Sequence, residues 1–133
     1  MSTTATSLAA NDLLQRDAAD IADAVRDGAI SATALAHASL ERIAATDARV
    51  NAFTDVTAQR ALAAAAALDA RLAVGDSTAR ALPLLGVPFA VKNLFDVAGI
   101  TTLAGSEIER GRPPAGCDGP LVKRMQAAGA VLV

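Results

Sequence analysis

The chain has 133 residues, 53% hydrophobic and 20% charged, which is enough apolar character to bury a core and too much for a disordered polar chain. A formal net charge of -2 with scattered Lys and Arg excludes a basic footprint for nucleic acid, and no run approaches the roughly 18 apolar residues of a membrane span. The single cysteine, Cys117, leaves no internal disulfide and fits a reducing, cytoplasmic setting.

Residues 1–10 begin with a Ser/Thr-rich stretch, lack a basic start and a long apolar run, and read as a flexible leader rather than a secretory signal. From Asn11 to Asp27 the pattern is helical, with Gly28 as its stop. Ser31 is a good N-cap for a second helix over 31–48, where Ala36, Leu40, Ile43 and Ala44 recur at helical spacing. A third helix over 57–74 places Ala61, Ala65, Leu68 and Leu72 on one face, and the polar run from Asp76 to Arg80 follows as a loop. These contacts are Ala-rich, with Phe at 3 and no Trp or Tyr, so each residue buries little area.

The character changes at Leu82. A strand is expected over 87–91, shaped at its entry by Pro88, and a second short one over Leu94–Val97 before the Gly99 turn. The Gly/Pro-rich stretch from Gly105 to Gly119 reads as loop. Asp118 or Gly119 then caps a helix over 119–128, with Pro120 in its first turn and Gly129 after it. Residues 130–133 look like a buried strand, completing a parallel α/β unit. A terminus inside such a strand buries a carboxylate, so the expectation is a fragment, with 11–133 forming the N-terminal part of one domain.

Lys92 is the chemically pointed residue, because it follows the apolar strand and precedes Asn93-Leu94-Phe95-Asp96. From spacing alone the simpler reading is a lysine whose ammonium reaches water at a strand end. The alternative is a side chain partly desolvated by Val91, Leu94 and Phe95, since desolvation favours the neutral amine and so a general base.

The stretch Leu84-Leu85-Gly86-Val87-Pro88-Phe89-Ala90-Val91-Lys92-Asn93-Leu94-Phe95-Asp96-Val97-Ala98-Gly99 resembles the lysine segment of the amidase signature family. Thr101-Thr102 and Gly105-Ser106 resemble the polar segment after it. Asp118 to Val122 and Ala127 to Val133 resemble the next helix and strand, and Asn51-Ala52-Phe53 an N-terminal feature. The resemblance runs from about Ala18 to Val133 in the expected order. It implies an α/β fold, with a mixed sheet flanked by helices and incomplete in this chain. It also implies a catalytic triad of serine, cis-serine and lysine, with Lys92 as the general base. In that chemistry a bridging serine relays the proton, a nucleophilic serine attacks a small linear amide, and water hydrolyses the acyl-enzyme. The Gly/Ser-rich segment carrying both serines does not occur in these 133 residues, so the chain alone is expected to be inactive. Asn93 departs from the commoner aspartate and looks more like the hydrolases that cleave 1-carboxybiuret.

No cofactor or metal is implied. The partners the resemblance allows are a small amide substrate and either a small helical subunit or further copies of the chain. Two alternatives stay open: the A subunit of an amidotransferase, freeing ammonia from glutamine, and a non-catalytic fragment or helical interaction module. Ser106 reads as a turn residue whose hydroxyl caps backbone groups, Cys117 as a plain loop thiol and His37 as a partly exposed helix residue. Asp47, Asp55, Glu107 and Glu109 read as solvated charges.

Overall fold

The computed structural model describes residues 9–133. Residues 1–8 of the expected leader lie outside them. Residues 9 and 10 are helical, and Ala10 is packed into the core at 1% exposure, so the leader does not extend that far.

The single helix expected over 11–27 is two. Helical residues 9–13 end in a turn, and α1 (Ala18–Arg26) starts afresh because the Asp17 side chain accepts from Asp20 N–H at 2.9 Å. A short carboxylate at that point satisfies a helix-start donor better than a continuing helix would. Helix α1 buries Ile21, Ala22 and Val25.

Helix α2 (Ala32–Val50) is capped by Ser31, whose hydroxyl accepts from Ala34 N–H at 3.0 Å. It runs two residues past the expected end, to Val50, and its C-cap Asn51 turns left-handed with φ 51, a conformation asparagine tolerates well. Helix α3 (Ala58–Ala73) lies against α2 through Ala61 and Ala65, both at 0% exposure, with Leu68 and Leu72 partly buried beside them. Asp69 of α3 reaches back to the start of α2, accepting from Ala32 N–H (2.8 Å), Thr33 N–H (3.0 Å) and Thr33 Oγ1 (2.6 Å).

The expected polar loop after α3 contains one helical turn, α4 (Ser77–Arg80). The Asp76 carboxylate nucleates it by accepting from Thr78 and Ala79 N–H groups at 2.8 and 3.1 Å. Arg26 of α1 then donates to the carbonyls of Arg80 (2.9 Å) and Leu82 (3.1 Å), fixing the path into the first strand.

Strand β1 (Pro88–Phe89) pairs in parallel with β2 (Val131–Leu132), in the register Pro88 with Val131 and Phe89 with Leu132. The strands expected over 87–91 and 130–133 are therefore shorter. Val87 and Phe89 accept from Val131 and Val133 N–H groups, while Pro88 has no N–H to give to another neighbour. Among the described residues this parallel pair is the whole sheet. Leu94–Val97 is not a strand, because the Lys92 carbonyl accepts from Leu94 and Phe95 N–H groups at 2.7 and 3.2 Å and closes a turn.

The Gly/Pro-rich loop holds a 3-10 turn over Glu107–Gly111, and α5 (Pro120–Ala127) follows with Pro120 in its first turn. Gly119 is its N-cap without a side-chain bond. The main core joins α1, α2, α3 and the strands. A smaller cluster of Val97, Val122 and Leu132, with Phe89, Val91, Phe95 and Ile100 against it, lies beneath the Lys92 turn.

Candidate active site

The turn after β1 is built by alternation. Phe89 and Val91 point into the small cluster and are partly buried, so Ala90 and Lys92 face outward and are exposed. Leu94, at 44% exposure, gives Lys92 little cover. This corrects the expectation that Val91, Leu94 and Phe95 desolvate the lysine. Its ammonium makes no hydrogen bond or ion pair to another described residue.

The residues around Lys92 are tightly held. Asn93 Nδ2 donates to Thr54 Oγ1 at 2.8 Å, and Asn93 Oδ1 accepts from Leu103 N–H at 2.8 Å. The Asn93 carbonyl takes Ala104 N–H at 2.7 Å. The turn, the α2–α3 loop and the segment at 103–104 therefore meet at one residue. The α2–α3 loop is itself anchored by Asp47, whose carboxylate accepts from Ala52 and Phe53 N–H groups at 2.7 and 3.2 Å. Asp47 is thus a loop anchor and not the solvated charge expected of it.

Farther along, Asp96 Oδ1 accepts from Thr102 Oγ1 at 2.6 Å, and its carbonyl accepts from Gly119 N–H at 2.8 Å. Asp118, instead of capping α5, pairs with Arg60 of α3 through both carboxylate oxygens and accepts from Ala98 N–H at 2.9 Å. The Arg60 guanidinium holds the Asp118 carboxyl below the usual carboxylate range, assisted by Ala98 N–H and opposed by partial burial. The pair ties α3 to the loop beneath Lys92. Its partners are 58 residues apart, and no local pattern marks them.

Ser106 and Cys117 line a different feature, an open groove of about 530 Å³ shared with Asp96, Thr102, Glu109 and Arg112. Ser106 starts the 3-10 turn, and its hydroxyl makes no cap bond, contrary to the expected role. Its backbone N–H donates to the Leu103 carbonyl. Cys117 is exposed and no histidine lines the groove. The one histidine, His37, is exposed on α2. Among the described residues no group of three or more His, Cys, Asp or Glu could hold a metal ion. No helix among them is long and apolar enough to cross a membrane.

A turn bearing a lone lysine at the carboxyl end of a parallel strand, braced by two loops, is the class of site that comparison with known proteins extends. The Amidase family profile matches residues 34–133, and the chain belongs to that family. A 1-carboxybiuret hydrolase subunit of Pseudomonas sp. (strain ADP) is 49% identical over 114 residues, covering 86% of this chain and 24% of that protein. The A subunit of a glutamyl-tRNA(Gln) amidotransferase from Salinispora arenicola is 46% identical over 123 residues, covering 92% and 24%. A chain from a solved vestigial protein complex, described as revealing the evolutionary origins of an s-triazine catabolic enzyme, superposes with a TM-score of 0.82 at 48% identity, covering 88% of this chain and 25% of that one. The chain therefore spans about a quarter of the length of the relatives it matches.

Proposed function

We propose that this chain serves as the N-terminal quarter of an amidase that hydrolyses a small linear amide, with Lys92 as its general base. The observation that carries the reading is the family match over 34–133, together with the position of Lys92 on a braced turn at the carboxyl end of β1. The neutral amine of Lys92 accepts a proton through a bridging serine. The nucleophilic serine oxygen bonds to the amide carbon, the C–N bond breaks, and the departing nitrogen leaves protonated. Water then cleaves the acyl-serine ester. Both serines would be supplied from outside these 133 residues, on further strands that complete a mixed sheet. That added structure would also supply the desolvation that the exposed Lys92 lacks here.

The 49% identity to a 1-carboxybiuret hydrolase subunit favours that kind of linear substrate. The second reading, release of ammonia from glutamine by the A subunit of an amidotransferase, is supported by the 46% identity to such a protein. A partner chain suits either reading, since one matched chain was solved in a protein complex. A cytoplasmic setting accords with the lone cysteine.

The test is to express the open reading frame that encodes this chain and measure ammonia release from 1-carboxybiuret, glutamine and propionamide. Release that falls by about a thousandfold or more in Lys92→Ala supports the base. Unchanged release in that variant refutes it. No release from any amide by the folded protein would leave the non-catalytic interaction module as the function.

A further inference from the structure

We propose that Thr57 closes the outer edge of β2, so that the sheet of the whole protein grows from the free edge of β1. The occupant of that edge is a strand of the same protein lying outside these 133 residues. This rests on the reading of the chain as one quarter of a longer protein, and it holds whatever Lys92 does.

Val131 and Val133 give their N–H groups to the Val87 and Phe89 carbonyls. In a parallel strand the backbone groups of alternate residues point to opposite sides, so the N–H and carbonyl of Leu132 face away from β1. That outer carbonyl is already taken. Thr57 Oγ1 donates to it at 3.0 Å, across 75 residues of sequence. Thr57 is the N-cap of α3, where a threonine hydroxyl ordinarily accepts from the first-turn N–H groups. It makes no such bond, and its backbone sits at φ -92, ψ 48. The start of α3 thus lies across the edge of β2, and its hydroxyl stands where the N–H of a neighbouring strand would be. Leu132 is 4% exposed, which leaves no room for a strand on that side.

The other edge is bare. Val87 and Phe89 are committed to β2, so Pro88 and Ala90 face outward. Ala90 is exposed, and its N–H makes no hydrogen bond among the described residues. Pro88 has no N–H to offer, but it is the first residue of β1, a position where a missing donor is tolerated. Two strands alone make a marginal sheet. The chain spans about a quarter of its relatives, so the remaining length can supply a third strand. With a neighbour on each side β1 becomes interior, and Lys92 at its end gains the cover it lacks here.

The experiment is residue-resolved amide hydrogen exchange in the protein expressed from the full reading frame, comparing wild type, Thr57→Val and Thr57→Ser. The Ala90 amide should exchange at least about a hundredfold more slowly than an unprotected one, at every protein concentration. Free exchange at Ala90 overturns the added strand. Protection that vanishes on dilution shows a second copy on that edge and overturns it as well. Thr57→Val keeps the branched shape and removes the donor. It should speed exchange at Val131 and Val133 about three- to tenfold, the loss of one hydrogen bond, while Thr57→Ser stays within about twofold of wild type. An ordinary N-cap responds elsewhere, at the second and third residues of its helix. If Thr57→Val loosens Gln59 and Arg60 and spares Val131 and Val133, the closed edge is refuted. Should Thr57→Val fail to fold, Thr57→Ala removes the same donor with less side chain to place. A frame that adds nothing after Val133 shows in the length of the purified protein and sinks the quarter reading, while the Thr57 comparison still decides the closed edge. Ammonia release in Lys92→Ala bears on the base alone.

Discussion

Gly129 lies between α5 and β2, and replacing it by alanine tests whether the helix-to-strand joint sets the register of the parallel pair. Its φ is +96, and an added Cβ would stand 3.0 Å from the Leu85 Cα and 3.0 Å from the Leu82 Cβ. The Leu85 contact is backbone, and Leu85 is fully buried at 0% exposure, so the neighbour has nowhere to go. Left-handed strain costs roughly 1–2 kcal/mol, and forcing a methyl into a filled site adds roughly 1–3 kcal/mol, for a total of about 3 kcal/mol. At this chain length each kcal/mol lowers Tm by roughly 3–5 °C, so Gly129→Ala should melt about 10–15 °C below wild type. Gly75→Ala is the control, since its φ is +76 with nothing within 4 Å of the added atom. It carries strain alone and should lose about 3–10 °C. Thermal unfolding followed by far-UV circular dichroism reads both. If the two variants melt together, the close approach at Leu82 and Leu85 does not govern this joint and the argument fails.

Asp118→Asn should lower stability by about 1–3 kcal/mol at neutral pH, because it breaks a half-buried pair and weakens the bond to Ala98 N–H. The Asp118 pKa is lowered in the fold, so its contribution is fully present above the ordinary carboxylate value of 3.8 and is lost as the pH falls through the lowered one. Urea midpoints measured across pH should therefore show the gap between variant and wild type closing in acid, and a pH-independent gap counts against the ion pair. Asp69→Ala removes three bonds to the first turn of α2 and should cost about 1–2 kcal/mol. Hydrogen exchange should show lost protection at Ala32 and Thr33, whereas uniform loss along α2 would mean that the cap is not the local anchor.

How much of the fold is legible in the sequence depends on the range of the interaction. The helices α2, α3 and α5 and the order helix, glycine, strand follow from periodicity and caps, because those signals sit within a few residues of one another. The break at Asp17 escapes such a reading because its capping role competes with an otherwise helical composition. The turn at Lys92 reads as strand because Leu94, Phe95 and Val97 have strand-like composition. What bends the chain there is Asn93, bonded to positions 39 and 10 residues away. Lys92 itself is marked by family resemblance, and strand alternation gives its outward face only once the position of β1 is known. The Arg60–Asp118 and Asp69–Thr33 contacts link distant parts of the chain, and charge patterning along the sequence carries no trace of them.

The register that pairs Pro88 with Val131 spans 43 residues of sequence. At a synthesis rate of roughly 5–20 residues per second, β1 leaves the peptidyl-transferase centre about 2–9 s before its partner exists. During that interval α2 and α3 can close their Ala-faced hairpin, because both are already complete, but the segment from Gly86 to Val91 has no strand to join. An unpaired apolar strand is the kind of window that self-associates. Pro88 inside it, which cannot donate to a ladder, and Lys92 just after it act as natural interruptions. The lysine proposed as the base would then have an earlier task in the nascent chain, keeping a waiting strand soluble until α5 delivers its neighbour.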